Sequence, residues 1–264
     1  MEDTFDIDKI VAYLRKEILN DNKSLDDLYQ WEISTKALNK LSITLTEKTN
    51  YEKTIKLKEI ISEKLKKSEE EEFKELSLWI IHDWGRITKG NVENLHEIIK
   101  NCIDKRDYEF ERIASTSKVA AFMHPDEFAI YDSRVVYSLN WIILSTEAGS
   151  KYFPLPSGRN SKMTAFDIEV LIRLKHISNY RPDKSNALKK EKFIANKDKE
   201  LFFSKKEAYN KFLQLLKNIS NELWVHEQEN KLAKTEMLLF SIADKEVYDD
   251  ITRRCKLDSF CCAD

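Results

Sequence analysis

The scarcity of glycine and proline is the feature of this sequence that most restricts its fold. The chain has 264 residues but only four glycines and four prolines, where average usage would give roughly 30 of the two together. Sandwiches, barrels and folds with glycine-rich nucleotide loops need many tight turns, so this composition argues against all three. Because 42% of the residues are hydrophobic, the chain can bury a core. We therefore predict an all-α fold, a two-lobed helical bundle that forms a single compact unit over residues 1–264.

Apolar residues recur at helical spacing along most of the chain. The longest pattern, 51–82, contains a very polar stretch, which predicts either a solvated helix or a break near Ser68. Gly85 is predicted to end that pattern in a left-handed cap, and Gly90 and Asn91 to begin the next helix. The other predicted helices span 5–20, 92–104, 115–124, 133–145, 164–178, 204–220, 230–242 and 246–254.

The cysteines and histidines indicate neither a disulfide framework nor a metal site. Cys102 stands alone, Cys255, Cys261 and Cys262 form no C-x-x-C pair, and the five histidines complete no zinc spacing. No apolar run approaches the ~18 residues of a membrane span, and the first residues do not resemble a signal peptide. We therefore predict a cytoplasmic protein without metal, cofactor, membrane association or obligatory protein partner.

The net charge of −2 does not by itself indicate a nucleic-acid-binding protein. Basic residues nevertheless concentrate in 151–197, which holds eleven Lys or Arg against four Asp or Glu. Such a run is usually a solvated face, but it can also lie along a phosphate backbone. Acidic residues concentrate at 69–72, which is a candidate surface for a protein partner.

The segment 111–140 carries most of the functional information. Ser115 or Thr116 can cap a short helix that Pro125 ends, and Asp132 lies where the next helix begins. An aspartate at a helix N-terminus is usually only a cap that complements the helix dipole. A single lysine such as Lys118 is still less informative, so the two residues matter only in combination.

Two motifs in this segment together resemble those of the helix-hairpin-helix DNA glycosylases. The first is Ser117-Lys118-Val119-Ala120-Ala121, and the second is Phe128-Ala129-Ile130-Tyr131-Asp132-Ser133-Arg134-Val135. In that superfamily a hairpin of the form L-P-G-[VI]-G-x-K-[TV]-A opens a helix, and a later segment like V-P-V-D-x-[HR]-V carries an essential aspartate. Lys118 falls on the hairpin lysine and Asp132 on the essential aspartate. The Lys-Val-Ala variant is closest to the 8-oxoguanine DNA glycosylase branch.

The chain as a whole is similar to a group of bacterial proteins with the same glycosylase fold. Beyond the two motifs, the similarity is carried by Phe153-Pro154-Leu155-Pro156, Gly158-Arg159-Asn160 and Glu236-Met237-Leu238-Leu239-Phe240. That neighbourhood includes glycosylases used in defence against phages, which remove glucosylated hydroxymethylcytosine from phage DNA. The resemblance implies base excision from double-stranded DNA, with the modified base flipped out of the helix.

The chain departs from the family pattern at the hairpin. Ala114, Ser115 and Thr116 replace the glycines that let the backbone approach a phosphate closely. The interval from Lys118 to Asp132 is also shorter than in the better-known enzymes, by about one helical turn of ~4 residues. The hairpin is therefore degenerate, and its main-chain grip on DNA is in question.

The resemblance assigns the chemistry to two residues. Cleavage of a base from deoxyribose develops positive charge on the sugar, which Asp132 would stabilise while it orients the attacking water. Lys118 would attack the sugar carbon in a bifunctional enzyme, if its surroundings lower its pKa. An equal alternative is that Lys118 contacts phosphate or packs along the surface, and we expect a monofunctional enzyme.

A flipped base also needs a pocket and a grip on the phosphates. We predict that Trp84, Tyr131 and Arg86 belong to the base pocket, although large aromatic residues are more often core. Glu236 is either a functional acid or the partner of a buried cation. The predicted DNA contacts are Arg134, Arg159, Lys162, Ser115 and Thr116.

Two other functions remain open. The same fold could recognise DNA or a nucleotide without cleaving it, which the degenerate hairpin and the net charge of −2 favour. A cavity too shallow for a nucleobase, or an Asp132 fully engaged in capping, would support that alternative. The chain could also be a helical interaction protein that uses the acidic run 69–72, which salt-insensitive binding to a protein would support.

Overall fold

The computed structural model describes residues 5–19, 23–88, 94–182 and 185–255. Within these ranges the regular structure is helical, apart from an isolated bridge between Tyr152 and Phe202, and the predicted all-α fold is confirmed. No helix in the described ranges is long and apolar enough to cross a membrane. The α-helices are α1 (Ile7–Tyr13), α2 (Leu25–Leu28), α3 (Thr35–Lys40), α4 (Asn50–Lys67), α5 (Glu70–Leu78), α6 (Leu95–Asp104), α7 (Ile113–Met123), α8 (Ser133–Thr146), α9 (Ser161–Ala165), α10 (Ile168–Lys175), α11 (Phe193–Leu201), α12 (Ala208–Leu223), α13 (Lys231–Ile242) and α14 (Glu246–Arg254).

Two of these helices continue with π-helical geometry, and shorter turns of 3-10 helix lie between others. The π-helical segments are Leu14–Ile18 after α1 and Trp79–Trp84 after α5. The 3-10 segments are Phe110–Arg112, Ile177–Tyr180 and Ser185–Lys189.

The longest helical pattern is interrupted where the sequence predicts a break. α4 ends before Ser68, whose backbone is extended (φ −75°, ψ 142°), and α5 begins two residues later. A capping box fixes the start of α4, because the Thr49 hydroxyl accepts from the Glu52 N–H and the Glu52 carboxylate accepts from the Thr49 N–H. Local hydrogen bonds between side chains and backbone therefore set the start of this helix.

Most of the other predicted helices lie within a few residues of the observed ones. The exception is the predicted helix 164–178, because Asp167 accepts from the N–H groups of Glu169 and Val170 and so starts α10 anew after α9. The predicted cap at Gly90 and Asn91 lies outside the described residues.

The helices fall into two groups. In the first, α4 and α6 pack on α7 together with the π-helical segment Trp79–Trp84. In the second, α8 packs on α1, α10 and α13, while α12 packs on α1 and α13. Every residue of α8 from Val135 to Leu144 is buried, so this helix forms the centre of the second group. α2 contacts both α4 and α13 and links the two groups.

Asp250 ties α14 to α1 and α8. This carboxylate is buried, and its Oδ2 accepts from the Tyr13 hydroxyl at 2.8 Å and from the Trp141 indole N–H at 3.0 Å. Its Oδ1 accepts from the guanidinium groups of Arg253 and Arg254. Burial opposes ionisation, but these hydrogen bonds outweigh it and hold the pKa of Asp250 below its usual range.

Asp250→Asn is expected to lower the free energy of unfolding by about 1–3 kcal/mol near neutral pH, because an amide offers one acceptor oxygen to the donors of Tyr13, Trp141, Arg253 and Arg254 and brings no negative charge to them. A lowered native pKa stabilises the fold above the unfolded pKa, and this contribution disappears as the pH falls through the native pKa. The difference between wild type and variant should therefore shrink in acid. Urea unfolding at neutral and acidic pH measures it, with exposed Asp249→Asn as the control on the same helix. A difference that does not change with pH would contradict the electrostatic account.

Candidate active site

A cavity of about 580 Å³ opens where the two helix groups meet. This volume lies within the range of small-molecule sites, roughly 300–1,000 Å³. Four aromatic residues line it, namely Tyr29, Trp31, Trp84 and Phe240. The charged residues of the lining are Arg86, Glu111, Arg112, Lys118, Asp132, Arg134 and Glu236.

Asp132 divides its two carboxylate oxygens between separate tasks. Oδ1 caps α8 by accepting from the N–H groups of Arg134 at 2.8 Å and Val135 at 3.3 Å. Oδ2 lies 3.9 Å from the Nζ of Lys118, and the side chain keeps 18% of its surface exposed. The cap therefore occupies one oxygen and leaves the other for a ligand at the cavity.

Buried side chains hold the extended segment that leads to Asp132. The Ile130 N–H donates to the Glu236 Oε2 at 3.2 Å, and the Tyr131 N–H donates to the Ser117 hydroxyl at 3.0 Å. Two consecutive backbone groups are thus bonded to residues of α13 and α7. The position of the Asp132 carboxylate consequently depends on both helix groups.

Lys118 is buried on α7 and faces the same cavity. Its Nζ donates to the Ala114 carbonyl at 3.1 Å, one helical turn earlier. Burial lowers the pKa of this ammonium group, while the negative charges of Asp132 and Glu236 act in the opposite direction. The protonation state of Lys118 therefore depends on the carboxylates around it.

Gly85 provides the space that Lys118 occupies. A Cβ atom at Gly85 would lie 2.9 Å from the carbonyl oxygens of Ile80 and Ile81 and 2.9 Å from the Lys118 Cδ. The predicted left-handed cap at Gly85 is wrong, since its φ is −79°, and the left-handed residue is Arg86 with φ 54°. Close packing rather than backbone conformation thus requires glycine at this position.

Gly85→Ala is expected to destabilise the protein by about 1–3 kcal/mol, because two of the three close contacts are with backbone atoms that cannot rotate away. The same change should displace Lys118 and reduce any activity that depends on it. Urea unfolding and an activity assay measure the two effects. Unchanged stability together with unchanged activity would mean that the helix end shifts without cost.

The aromatic part of the lining is a connected cluster. The Trp31 ring lies 6.0 Å from that of Trp84 and 5.6 Å from that of Phe240, with an interplanar angle of 88° in the second pair. The Arg86 guanidinium carbon lies 4.2 Å from the centre of the Trp31 ring, and the Arg86 Nη2 donates a hydrogen bond to the Glu32 carbonyl. Flat rings and a stacked guanidinium are the surfaces on which a base can stack.

Glu236 is paired with a buried cation. Its Oε2 lies 3.2 Å from the Nζ of Lys58, and both side chains are almost fully buried. Burial raises the pKa of Glu236, while Lys58 and the Ile130 N–H act against that effect. This arrangement is the ion pair that the sequence left open as one of two roles, although Glu236 also lines the cavity.

The three predicted phosphate-binding cations are engaged within the chain. Arg134 lines the cavity and donates to Asp244 at 3.0 Å, and Lys162 donates to the Asp244 carbonyl at 2.8 Å. Arg159 forms an ion pair with Asp167. Of these three, only Arg134 is among the residues that line the cavity.

Two predicted site residues are not positioned for the roles assigned to them. Tyr131 is fully buried, does not line the cavity and donates its hydroxyl to the Pro154 carbonyl at 2.7 Å. Thr116 is 1% exposed and its hydroxyl donates to the Arg112 carbonyl, so the predicted contact with DNA is contradicted by its burial. Ser115, by contrast, lines the cavity. Both errors arise because adjacent residues of a helix or an extended segment point in different directions.

The sequence missed three of the four aromatic residues in the lining. Phe240 lies one helical turn after Glu236, so helical spacing could have placed both on one face of α13. Tyr29 and Trp31 are about 100 residues from Asp132 along the chain, and no spacing rule connects them to it. Only the packing of α2 between α4 and α13 brings them to the site.

Comparison of the chain with protein-family models, curated proteins and solved structures finds no match. Among the described residues, no group of three or more His, Cys, Asp or Glu could hold a metal ion. The chemistry of this site must therefore be inferred from its geometry.

Proposed function

We propose that this protein is a DNA glycosylase, which cleaves the N-glycosidic bond of a modified base and leaves an abasic site. The observation that carries the proposal is the arrangement of Asp132, which caps α8 through one oxygen and directs the other toward buried Lys118. An aspartate that serves only as a cap needs neither a buried lysine nor an aromatic-lined cavity beside it. The motifs around Lys118 and Asp132 resemble those of the helix-hairpin-helix DNA glycosylases, which supports the same function.

Asp132 would act on the sugar rather than on the base. As the glycosidic bond stretches, positive charge develops on the sugar, and the carboxylate stabilises it and orients the attacking water. The base leaves with the bonding electrons, the water oxygen takes its place on the sugar carbon, and the proton that the water loses neutralises the departing base. Burial lowers the pKa of Lys118, but the negative charge of Asp132 beside it acts in favour of the ammonium form and so supports a monofunctional enzyme.

The cavity also supports a bulky modified base as the substrate. Trp31, Trp84 and Phe240 offer flat surfaces for a base, and the volume of about 580 Å³ leaves room for a substituent. A hexose needs several hydrogen-bonding partners, and Thr88 and Ser157 are polar residues of the same lining. We therefore propose glucosylated hydroxymethylcytosine of phage DNA as the candidate substrate, and defence against phages as the role.

Incubation with phage genomic DNA tests this function. Three DNAs are compared, which carry unmodified, hydroxymethylated and glucosylated cytosine, and abasic sites are counted by strand scission in alkali. We expect strand scission in the glucosylated DNA and in neither of the other two. This scission should require the alkali treatment. Scission of no DNA would overturn the proposal, and equal scission of all three would overturn the assignment of the substrate.

A binding module that retains the fold without catalysis is the second candidate. The observation that favours it is the engagement of Arg134, Arg159 and Lys162 with acidic residues or carbonyls of the chain itself. Salt-sensitive binding to DNA without base release would support this alternative, since phosphate contacts release counterions.

A further inference from the structure

Two buried ion pairs lie beside each other at the cavity. In the first, Lys118 Nζ lies 3.9 Å from Asp132 Oδ2, and in the second, Lys58 Nζ lies 3.2 Å from Glu236 Oε2. The Ile130 N–H connects them, because it donates to the Glu236 Oε2 and lies two residues before Asp132. Four helices therefore contribute charged side chains to one small volume.

Packing alone does not account for the second pair. Burying a lysine and a glutamate removes both from water, and apolar residues of similar size can often replace such a pair without loss of stability. The Lys58 and Glu236 side chains keep only 3% and 6% of their surface exposed, yet Glu236 still lines the cavity. The Glu236 Oε2 accepts hydrogen bonds from the Lys58 ammonium group and from the Ile130 N–H. No hydrogen bond joins its Oε1 to a described residue. A negative charge is thus held at the wall of the cavity that Lys118 also lines.

We propose that the Lys58–Glu236 pair keeps Lys118 protonated and thereby holds the site in the form that uses water instead of the lysine amine. In its consequence for catalysis, this inference rests on the proposed glycosylase function. Lys58 and Glu236 act here as positioning residues, since neither is assigned a contact with the reacting atoms.

The charges that face Lys118 come from three directions. Asp132 and Arg134 lie at the start of α8, Glu236 lies on α13, and Lys58 lies on α4. Arg134, Lys58 and burial all lower the pKa of Lys118. Without the charge of Glu236, Asp132 alone acts against them, so the neutral amine becomes more favourable. Glu236 lines the cavity together with Lys118, whereas Lys58 is not among the lining residues, so removing both charges should lower the pKa of Lys118 but by less than removing Glu236 alone.

Reductive methylation reports the fraction of Lys118 that is neutral. The lone pair of a neutral amine adds to formaldehyde, the adduct loses water to give an iminium ion, and hydride from added cyanoborohydride reduces it to a methylamine. An ammonium group has no lone pair and does not react. Formaldehyde is small enough to enter the cavity, and the test needs no DNA.

The experiment measures methylation of the peptide that contains Lys118 by mass spectrometry over a series of pH values. It compares the wild-type chain with Glu236→Gln, with the double variant Lys58→Met/Glu236→Gln, and with Glu59→Gln. Glu59 is the matched control, because it belongs to α4 and pairs with Lys56 at 3.0 Å on the exposed surface. In the double variant both members of the pair are neutral, so no buried charge is left without a partner. This variant therefore tests the inference by itself if E236Q does not fold.

We expect the pH at the midpoint of Lys118 methylation to be highest in the wild type, lower in the double variant and lowest in E236Q. At a fixed neutral pH, methylation of Lys118 should rise several-fold in E236Q, while E59Q should match the wild type. The inference would be overturned if the methylation profile of the double variant coincided with that of the wild type. A shift of the double-variant profile to higher pH would also overturn it. If the shift occurs but no phage DNA loses a base, the proposed function fails while the control of Lys118 stands. If base release occurs without the shift, the inference fails alone.

Discussion

Asp132→Asn is expected to lower the rate of base release by about 10²- to 10⁴-fold, the range by which a single general acid or base accelerates a reaction. The amide keeps an oxygen that can accept from the Arg134 and Val135 N–H groups, and asparagine caps helices about as well as aspartate. It has no negative charge to stabilise the developing charge on the sugar. Activity should therefore fall while the fold persists, as measured by abasic-site formation beside urea unfolding.

Asp167→Asn provides a matched control for this variant. Asp167 caps α10 through the same pattern, with one oxygen accepting from the N–H groups of Glu169 at 2.9 Å and Val170 at 3.3 Å. Unlike Asp132, it does not line the cavity. Equal losses of activity in the two variants would show that capping rather than chemistry matters, and full activity of D132N would remove Asp132 from the mechanism.

Lys58→Met is expected to lower the free energy of unfolding by about 3–5 kcal/mol at neutral pH, because it leaves the buried Glu236 carboxylate without its cation. Exchanging Glu236 for glutamine in the same chain should restore most of this loss, since a neutral amide still accepts from the Ile130 N–H. Urea unfolding of the two single variants and the double variant gives the coupling between the residues.

The loss in K58M should also depend on pH. Burial raises the pKa of Glu236 in the folded protein, and without Lys58 the Ile130 N–H is left to oppose that effect. A group with a raised native pKa stabilises the fold below its unfolded pKa, and that contribution disappears as the pH rises through the native value. The difference between wild type and K58M should therefore be small in acid and grow toward neutral pH. A constant difference would show that lost packing against Phe122 explains the effect instead.

Local patterns allowed several features of the fold to be predicted. The shortage of glycine and proline excluded folds rich in turns, and the polar stretch around Ser68 marked the gap between α4 and α5. Asp132 was recognised as a helix start because capping depends on residues two and three positions away. Each of these inferences rests on interactions between neighbours in the chain.

The residues around the site were harder to predict, because their relation depends on distant segments. Gly85 was interpreted as a cap, yet its role is to make room for Lys118 on another helix. The sequence pattern does not decide whether Glu236 is a functional acid or a structural partner. No spacing rule connects it to Lys58, which lies 178 residues away in the chain.

The sequence by itself therefore determined the helical class, most helix limits and the start of α8 at Asp132, since periodicity and capping act over a few residues. The tertiary structure alone decided which aromatic rings line the cavity, that Tyr131 and Thr116 are buried, and that Lys58 supports Glu236. The physical reason is that burial and charge pairing arise only when α4, α7, α8 and α13 pack together and exclude water between them.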